Sequence, residues 1–402
     1  MPSFQAAISS ALPVRYNDVI SKGGCNLILK NGIVFGEDAQ FIKADIEISG
    51  STIVQIAPCG SLDGERVLEA DGRYIVPGYV DIHIHGARGA DFCDFSAQAI
   101  ATISQHLGQV GVTSFCGTTM AFDEETLTKI MLTAKECCGV KRGGAVLRGV
   151  NMEGPFFTPS KKGAQDDCYF SDPDIELFDR LYTCSGGNIR FVDLAPELAG
   201  SEQFIRFAST RCAVSIAHTT ATYEQAKCAF DAGATHVTHL FNAMPAFHHR
   251  DPGVIGAAFD AAAYVEVISD GVHLHPAVVR SIFSWFGADR VCLISDAMRA
   301  LGMANGDYTL GGQRVIVKNG TATLADGTLA GSATSLAECV RRAVSFGIAL
   351  EDALRAATIN PAKAAGLFDT VGSISAGKQA DIIILDDALH PTDILIAGQR
   401  IL

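Results

Sequence analysis

The sequence contains few positive charges, and this shortage limits the partners that the protein can bind. It has 31 Lys and Arg residues against 44 Asp and Glu residues, which gives a formal net charge of −13 at pH 7. Non-specific binding to nucleic acid requires positive charge spread over a surface, so we expect no nucleic-acid partner. An anionic small substrate then needs a local cluster of cationic groups or N–H donors.

Long apolar runs and paired cysteine motifs are missing as well. No run approaches the roughly 20 apolar residues of a membrane-spanning helix, and residues 1–22 lack the charged-then-apolar order of a signal peptide. The twelve cysteines include no C-x-x-C pair. Their scatter is typical of thiols in a reducing compartment and argues against a disulfide framework. We expect a cytoplasmic protein without a membrane partner.

The most informative motif places two histidines, His83 and His85, at the end of an apolar run, PGYVDIHIHG at residues 77–86. In a strand, residues at i and i+2 point to the same face about 7 Å apart, and neutral imidazoles are common transition-metal ligands. Two histidines can equally be satisfied by hydrogen bonds inside a core. Ligands at other strand ends decide between these interpretations.

Eight short apolar runs alternate with helical stretches in the middle of the chain. This alternation predicts a parallel sheet covered by helices, and eight units predict an α/β fold closed into a TIM-type (β/α)8 barrel. The runs are residues 79–85, 112–118, 145–153, 189–195, 213–218, 236–240, 264–270 and 291–296. Helices are expected at residues 96–110, 123–136, 201–210, 222–232, 276–286, 335–346 and 350–358, with the last ending at Asn360-Pro361.

The flanking segments alternate apolar and polar residues between turn signals such as Asn31-Gly32 and Asn319-Gly320, a pattern typical of strands and hairpins. We therefore expect a second, smaller β-sandwich domain built from N-terminal and C-terminal segments. The expected division is 1–75 for the N-terminal part of the sandwich, 76–305 for the barrel, 306–330 for an excursion into the sandwich, 331–370 for the final barrel helices and 371–402 for the C-terminal part of the sandwich.

Polar residues end most of the predicted barrel strands, and the carboxyl ends of barrel strands are where active sites form. They are His83, His85, Glu153, His218, His239, Asp270, His273 and Asp296. Each alone can be a satisfied polar residue, but together they predict a site for one divalent ion, or for two if Glu153 bridges them. A nearby carboxylate can pass a proton from water to a leaving group, and Asp296 suits that role.

At these positions the sequence resembles the amidohydrolase superfamily and, within it, the N-acetylglucosamine-6-phosphate deacetylases. The motifs run in family order and include NMEGPF (151–156), AHT (217–219), THLFNAMP (238–245), SDGVH (269–273), SDA (295–297) and GTLAGS (327–332). The resemblance implies a metal-dependent enzyme that removes the N-acetyl group of N-acetylglucosamine 6-phosphate. It also implies a homodimer.

The resemblance further assigns roles to individual residues. Glu153, His218 and His239 are implied to be the principal metal ligands, with His83, His85 and Asp296 completing a site for a second ion. Asp296 is implied to be the general base, with His273 or the metal steadying the oxyanion. Substrate contacts are implied for Ala164, Asn242, Ala243, Arg250, His273, Leu329, Ala330 and Gly331, with Arg250 reaching into a neighbouring subunit. Zinc is the expected metal, with iron, cobalt or manganese as alternatives.

Three alternatives remain open from the sequence. The family often has a histidine at the position of Gln165, and glutamine can hydrogen-bond a sugar hydroxyl but cannot titrate near neutrality, which leaves the identity of the substrate open. Whether the hexosamine is gluco or galacto rests on one hydroxyl contact, so N-acetylgalactosamine 6-phosphate is the first alternative. A different amidohydrolase, acting on cyclic amides or N-acyl amino acids, explains the metal residues but not the anion site around Asn242 and Arg250. A catalytically silent barrel that serves as a scaffold is the third interpretation.

Overall fold

The computed structural model describes residues 26–402 and contains four sheets. The prediction for residues 1–22, and the first part of the predicted segment 1–75, therefore lie outside the described residues. The strands are β1 (Leu27–Phe35), β2 (Phe41–Ser49), β3 (Thr52–Pro58), β4 (Arg66–Glu69), β5 (Tyr74–Pro77), β6 (Tyr79–Ile84), β7 (Gly86–Ala87), β8 (Ala90–Asp91), β9 (Val112–Thr118), β10 (Val146–Glu153), β11 (Ile189–Leu194), β12 (Ala213–Ile216), β13 (His236–Val237), β14 (Tyr264–Val267), β15 (Val291–Leu293), β16 (Gly306–Leu310), β17 (Gln313–Lys318), β18 (Thr321–Thr323), β19 (Ile382–Leu385), β20 (Pro391–Ile396) and β21 (Gln399–Arg400).

Ten α-helices lie within residues 26–402. They are α1 (Ala97–Gln109), α2 (Glu124–Cys137), α3 (Ile175–Cys184), α4 (Ser201–Ala208), α5 (Tyr223–Ala232), α6 (Gly253–Asp260), α7 (Pro276–Phe286), α8 (Leu336–Ser345), α9 (Leu350–Ala357) and α10 (Ile359–Ala364). None of these helices has the length and apolar character that crossing a lipid bilayer demands.

The parallel sheet confirms the predicted barrel. Its strands run in the order β6-β9-β10-β11-β12-β13-β14-β15, which matches the eight apolar runs in sequence order. The two edge strands meet beyond their carboxyl ends, where the Asp296 N–H donates to the His83 carbonyl at 3.0 Å and the His85 N–H donates to the Ala297 carbonyl at 2.9 Å. These bonds close the cylinder next to the histidine pair.

The predicted helices form where caps and apolar spacing agree. Ser96, Asp123 and Thr222 cap the amino ends of α1, α2 and α5 with side-chain acceptors, which supplies partners to otherwise free N–H groups. Helices α3, α6 and α10 were not predicted from the sequence. The last predicted helix was expected to end at Asn360-Pro361, but Pro361 lies in the first turn of α10, where proline's missing N–H is tolerated.

An eight-stranded mixed sheet combines strands from both ends of the described chain, in the order β21-β20-β19-β5-β1-β2-β3 with β4 beside β1. Buried side chains such as Ile46, Ile53, Ile382 and Leu395 form one cluster across it, although they come from opposite halves of the sheet. The sheet therefore folds onto itself around its own core, as the predicted sandwich requires.

The excursion at residues 306–330 differs from its predicted place in the sandwich. Strands β16, β17 and β18 form a separate three-stranded sheet, and the buried Leu310, Val315 and Val317 belong to the large hydrophobic cluster that contains the barrel core, not to the cluster enclosed by the mixed sheet. The alternating pattern predicts strands correctly, but it does not specify which core their apolar face covers. The division of the chain into domains otherwise stays a prediction.

Candidate metal centre and substrate pocket

The backbone at the barrel mouth turns sharply at three of the predicted site residues. His218, His239 and Asp296 follow β12, β13 and β15 with φ angles of 45°, 29° and 46°. Non-glycine residues rarely adopt this left-handed conformation, and when they do they cluster at functional sites. At each of these positions the turn ends the path of the strand and directs the side chain of the turn residue itself into the mouth of the barrel.

One group of possible metal ligands is formed by Glu153, His218 and His239. Oε1 of Glu153 lies 3.0 Å from Nε2 of His218 and 3.3 Å from Nε2 of His239, and the two imidazole nitrogens are 3.2 Å apart. Ligand atoms held at about 2.05 Å from a tetrahedral zinc ion lie roughly 3.3 Å from one another. The three atoms are therefore spaced as the corners of a metal site.

A second group is formed by His83, His85 and Glu153. Oε2 of Glu153 lies 3.4 Å from Nε2 of His85 and 3.7 Å from Nε2 of His83. Oδ1 of Asp296 approaches the same two nitrogens at 3.2 and 3.6 Å. Glu153 therefore offers one carboxylate oxygen to each group.

The hydrogen bonds of the histidines test whether a cation fits between these groups. Nδ1 of His218 lies 2.8 Å from the Lys161 carbonyl oxygen, and Nδ1 of His83 lies 3.0 Å from a carboxylate oxygen of Glu266. Both partners are acceptors, so each Nδ1 carries the hydrogen and a neutral ring leaves Nε2 with a lone pair. Lone pairs of nitrogen then face carboxylate oxygens of Glu153, and a bound cation satisfies both. The donor set fits a divalent metal.

The electrostatics of the two groups favour positive charge. Burial raises the pKa of Glu153, but contacts with His218, His239 and His83 outweigh burial and hold this pKa well below its ordinary value. Burial lowers the pKa of His83, but the Glu266 and Glu153 carboxylates reverse the effect and raise it well above its ordinary value. Groups that attract protons this strongly also attract a divalent cation in their place.

Asp296 lies beside the second group as a buried carboxylate. Burial raises its pKa, but the hydrogen bond from His85 and the charges of the neighbouring imidazoles hold this pKa below its ordinary value. Asp296 is therefore ionised near neutral pH and can accept a proton at the mouth.

Asp270 and His273 form a fixed pair at the end of β14. Nδ1 of His273 donates to Oδ2 of Asp270 at 2.8 Å, and the His273 backbone N–H donates to Oδ1 at 2.9 Å. Burial lowers the pKa of His273, but the Asp270 carboxylate outweighs burial and leaves this pKa above its ordinary value. His273 lines the pocket, whereas the Asp270 side chain orients it from behind.

A cavity of about 550 Å³ opens at the barrel mouth above both ligand groups. Of the residues named from the sequence, those lining it are His85, Glu153, Ala164, Gln165, His218, His239, Asn242, Ala243, His273, Asp296, Leu329 and Gly331. His83 is fully buried beneath the ligand group, and Ala330 is buried behind the wall. Arg250 is exposed beside His248 and His249 and does not line this chain's cavity.

The loop after β10 covers one side of the cavity. Its residues Lys161, Lys162 and Gly163 line the wall, and the Lys161 ammonium donates to the Met244 carbonyl oxygen at 3.2 Å. Gln165 is buried, and its Oε1 accepts the Ala121 backbone N–H at 2.7 Å. The side-chain amide oxygen of Gln165 therefore anchors the loop to the barrel.

Two glutamates near the site were not identified from the sequence. Glu266 contacts His83 inside the barrel. It could have been identified from the sequence as the one charged residue of the otherwise apolar strand β14. Glu197 follows β11 and accepts hydrogen bonds from Thr158, Thr219 and Thr220.

The barrel, the two ligand groups sharing one glutamate and the adjacent buried aspartate together define a metal-dependent hydrolase of barrel fold. Comparison with known proteins agrees. The sequence profile described as the Amidohydrolase family matches residues 74–400, and this chain belongs to that family.

Several known proteins are similar over most of the chain. The N-acetylglucosamine-6-phosphate deacetylase of Bacillus subtilis is 37% identical over 366 residues, which cover 90% of each chain. The N-acetylgalactosamine-6-phosphate deacetylase of Escherichia coli O157:H7 is 37% identical over 336 residues, 83% of this chain and 89% of the relative. The N-acetylglucosamine-6-phosphate deacetylase of Homo sapiens is 36% identical over 347 residues, 83% of this chain and 84% of the relative.

A solved structure shows the same architecture. The N-acetyl-D-glucosamine-6-phosphate deacetylase of Mycobacterium smegmatis, solved as a variant in complex with N-acetyl-D-glucosamine-6-phosphate, aligns with a TM-score of 0.88 at 32% identity. The alignment covers 94% of this chain and all of that chain.

Proposed function

We propose that this protein hydrolyses the N-acetyl group of N-acetylglucosamine 6-phosphate, giving glucosamine 6-phosphate and acetate. The observation that carries the proposal is Asp296, an ionised carboxylate 3.2 Å from a histidine of one ligand group, at the floor of the cavity. Relatives with this activity in their names match most of the chain. The reaction is the addition of water to an amide, which breaks the C–N bond.

The two ligand groups would hold one or two divalent ions per subunit. Glu153, His218 and His239 would hold one, and His83, His85, Glu153 and Asp296 would hold the other. Imidazole and carboxylate donors accept zinc, iron, cobalt or manganese, and we propose zinc. A divalent ion bound there lowers the pKa of a water ligand and polarises a substrate carbonyl.

The chain's own residues move the proton and steady the developing charge. Asp296 accepts the proton of the attacking water and then delivers it to the amine nitrogen as the C–N bond breaks. Asp270 holds Nδ1 of His273 as a donor and raises the pKa of this ring. Nε2 of His273 can therefore carry a proton as well and donate to the oxyanion.

The sugar phosphate would bind at the other side of the cavity. Asn242, Ala243 and Lys161 line the cavity, and the side-chain amide of Asn242 donates to the His239 and Leu240 carbonyls and so shapes this turn. The Ala243 backbone N–H and the Lys161 ammonium would form a local anion site despite the negative net charge. Ala164, Leu329 and Gly331 would shape the acetyl-sugar pocket, with Ala330 supporting it from behind. Arg250 is exposed outside the cavity.

We propose that Arg250 reaches the phosphate bound by a second copy of the chain, in a homodimer. This arrangement would explain why the Arg250 guanidinium is exposed and lies outside the cavity of its own chain. We also propose a cytoplasmic location, because each of the eleven cysteines in residues 26–402 is a free thiol, as is typical of a reducing compartment.

Acetate release from the 6-phosphates of both acetylated sugars, with and without added metal, tests the function. We expect metal-dependent turnover of N-acetylglucosamine 6-phosphate, and a loss in kcat of about 10²–10⁴-fold in Asp296→Asn. Unphosphorylated N-acetylglucosamine is the matched control and should be a poor substrate. Higher kcat/KM for the galacto epimer would favour the second candidate, which the Escherichia coli relative represents. Turnover of a cyclic amide or an N-acyl amino acid alone would overturn the proposal.

A further inference from the structure

Glu266 is a charged side chain in the interior of the barrel. It is fully buried in β14. Strand β14 is not a neighbour of β6, because β15 lies at the edge of the sheet between them when the cylinder closes. A contact between Glu266 and a residue of β6 therefore crosses the interior of the barrel.

One oxygen of Glu266 contacts both ligand groups. Oε2 accepts the hydrogen on Nδ1 of His83 at 3.0 Å and the backbone N–H of His239 at 3.2 Å. Oε1 faces Nε2 of the buried His236 at 3.3 Å. The carboxylate thus touches the ring of a histidine in one group and the backbone of a histidine in the other.

These contacts decide which atoms face the metal centre. A carboxylate only accepts hydrogen bonds, so it keeps the hydrogen of His83 on Nδ1 and directs the lone pair of Nε2 toward Glu153. A negative partner also makes the imidazole a stronger electron donor. The bond to the His239 N–H fixes the backbone at the left-handed turn with φ of 29° that directs this ring.

We propose that Glu266 is a positioning residue for both ligand groups, and that it sets the metal affinity of the His83 group through the ring of His83. This inference rests on the proposed metal-dependent function. Glu266 does not line the cavity, so its role is exerted through the histidines and not through contact with substrate.

The test is zinc uptake by Glu266→Gln, measured as bound metal per subunit by elemental analysis at a series of buffered free zinc concentrations. Replacing the outer partner of a metal-binding histidine typically weakens metal binding 10–100-fold, and we expect a loss of about that size for the ion held with His83. The matched control is Asp193→Asn. Asp193 is equally buried in the neighbouring part of the barrel, but its carboxylate accepts from the Thr238 hydroxyl and not from a ligand ring.

Glu266→Asp provides a second measurement if the glutamine variant does not fold. It keeps the negative charge but shortens the side chain, so the contact with His83 lengthens and zinc binding should again weaken. A wild-type protein that takes up no zinc overturns the proposed function and this inference with it. Normal uptake by wild type together with unchanged affinity in the folded Glu266 variant overturns this inference alone. An equal loss in Asp193→Asn also overturns it.

Discussion

Glu197 holds together the loops on either side of the metal centre, and its removal gives a quantitative prediction. Oε1 accepts the Thr158 hydroxyl at 2.6 Å, the Thr220 N–H at 2.5 Å and the Thr220 hydroxyl at 2.9 Å. Oε2 accepts the Thr219 hydroxyl. Thr219 directly follows His218, a residue of the first group of possible metal ligands, so this carboxylate fixes the turn that directs the His218 ring.

The expected cost of Glu197→Gln follows from these four bonds. A hydrogen bond to a charged group contributes about 1.5–3 kcal/mol, against about 0.5–1.5 kcal/mol for a neutral pair. Glutamine keeps the shape but has one acceptor oxygen and one NH2 group, so the bonds to the retained oxygen weaken by roughly 1 kcal/mol each and the bond at the other position, where NH2 cannot accept, is lost. Because Glu197 is half-buried, solvent recovers part of this, and we expect a loss of about 2 kcal/mol in the free energy of unfolding.

Urea-induced unfolding of the metal-loaded protein measures this loss, and a double-mutant cycle with Thr219→Val assigns it. If the Glu197–Thr219 bond carries the effect, the coupling energy should be at least about 1 kcal/mol. The control is Glu202→Gln, whose exposed ion pair with Arg206 should contribute under about 0.5 kcal/mol. Additive effects of the Glu197 and Thr219 variants, or a loss no larger than in Glu202→Gln, would refute the reasoning.

Three further predictions concern the metal centre and its neighbours. His83→Ala should lower the metal content from two ions per subunit to one by elemental analysis, and a content of one ion in both proteins would contradict a second site. Removing metal by chelation should lower the free energy of unfolding by about 2.7 kcal/mol if the free metal had been a hundredfold above its dissociation constant. Equal urea midpoints of the stripped and loaded proteins would contradict this. Asp270→Asn should destabilise most at mildly acidic pH, because stability from the raised pKa of His273 is fully present below 6.5 and is lost as pH rises through that raised pKa. His273 lowers the pKa of the Asp270 carboxyl group from 3.8, against the effect of burial. The stability that this carboxylate contributes is therefore lost only as the pH falls through the lowered pKa. Urea unfolding of wild type and Asp270→Asn at several pH values measures this difference. If the difference in stability is the same from pH 5 to alkaline pH, the His273–Asp270 pairing is contradicted.

The barrel was predictable because its strands are buried on both faces and so read as continuous apolar runs. The sequence positions of the polar residues at their ends were enough to place both ligand groups at one mouth. Helix α6 was not predicted because its segment GVIGAAFD is apolar nearly all round, which removes the periodicity that marks a helix. Helix α3 carried a usable signal, since Asp174 caps it.

Contacts between distant parts of the chain were the part that sequence reasoning could not supply. Gln165 can in principle hydrogen-bond a sugar hydroxyl, but its side-chain oxygen accepts the Ala121 backbone N–H. Arg250 is exposed outside the cavity of its own chain, so its expected contact with a phosphate in a neighbouring subunit stays a prediction. Glu266 meets His83 only because the barrel closes. Residue type and spacing do not encode such pairings.

The left-handed turns at His218, His239 and Asp296 have a consequence for how such a protein can change. Because the strand ends aim these side chains, loop residues that do not hold the turns can vary without moving the candidate ligands, whereas Lys161 and Glu197 hold His218 and its turn in place. Substrate choice can therefore change in part of the loops while the hydrolytic centre stays as it is. Exchange of the loop at residues 242–251 with that of a relative is the simplest route to a new sugar preference on an unchanged hydrolytic centre.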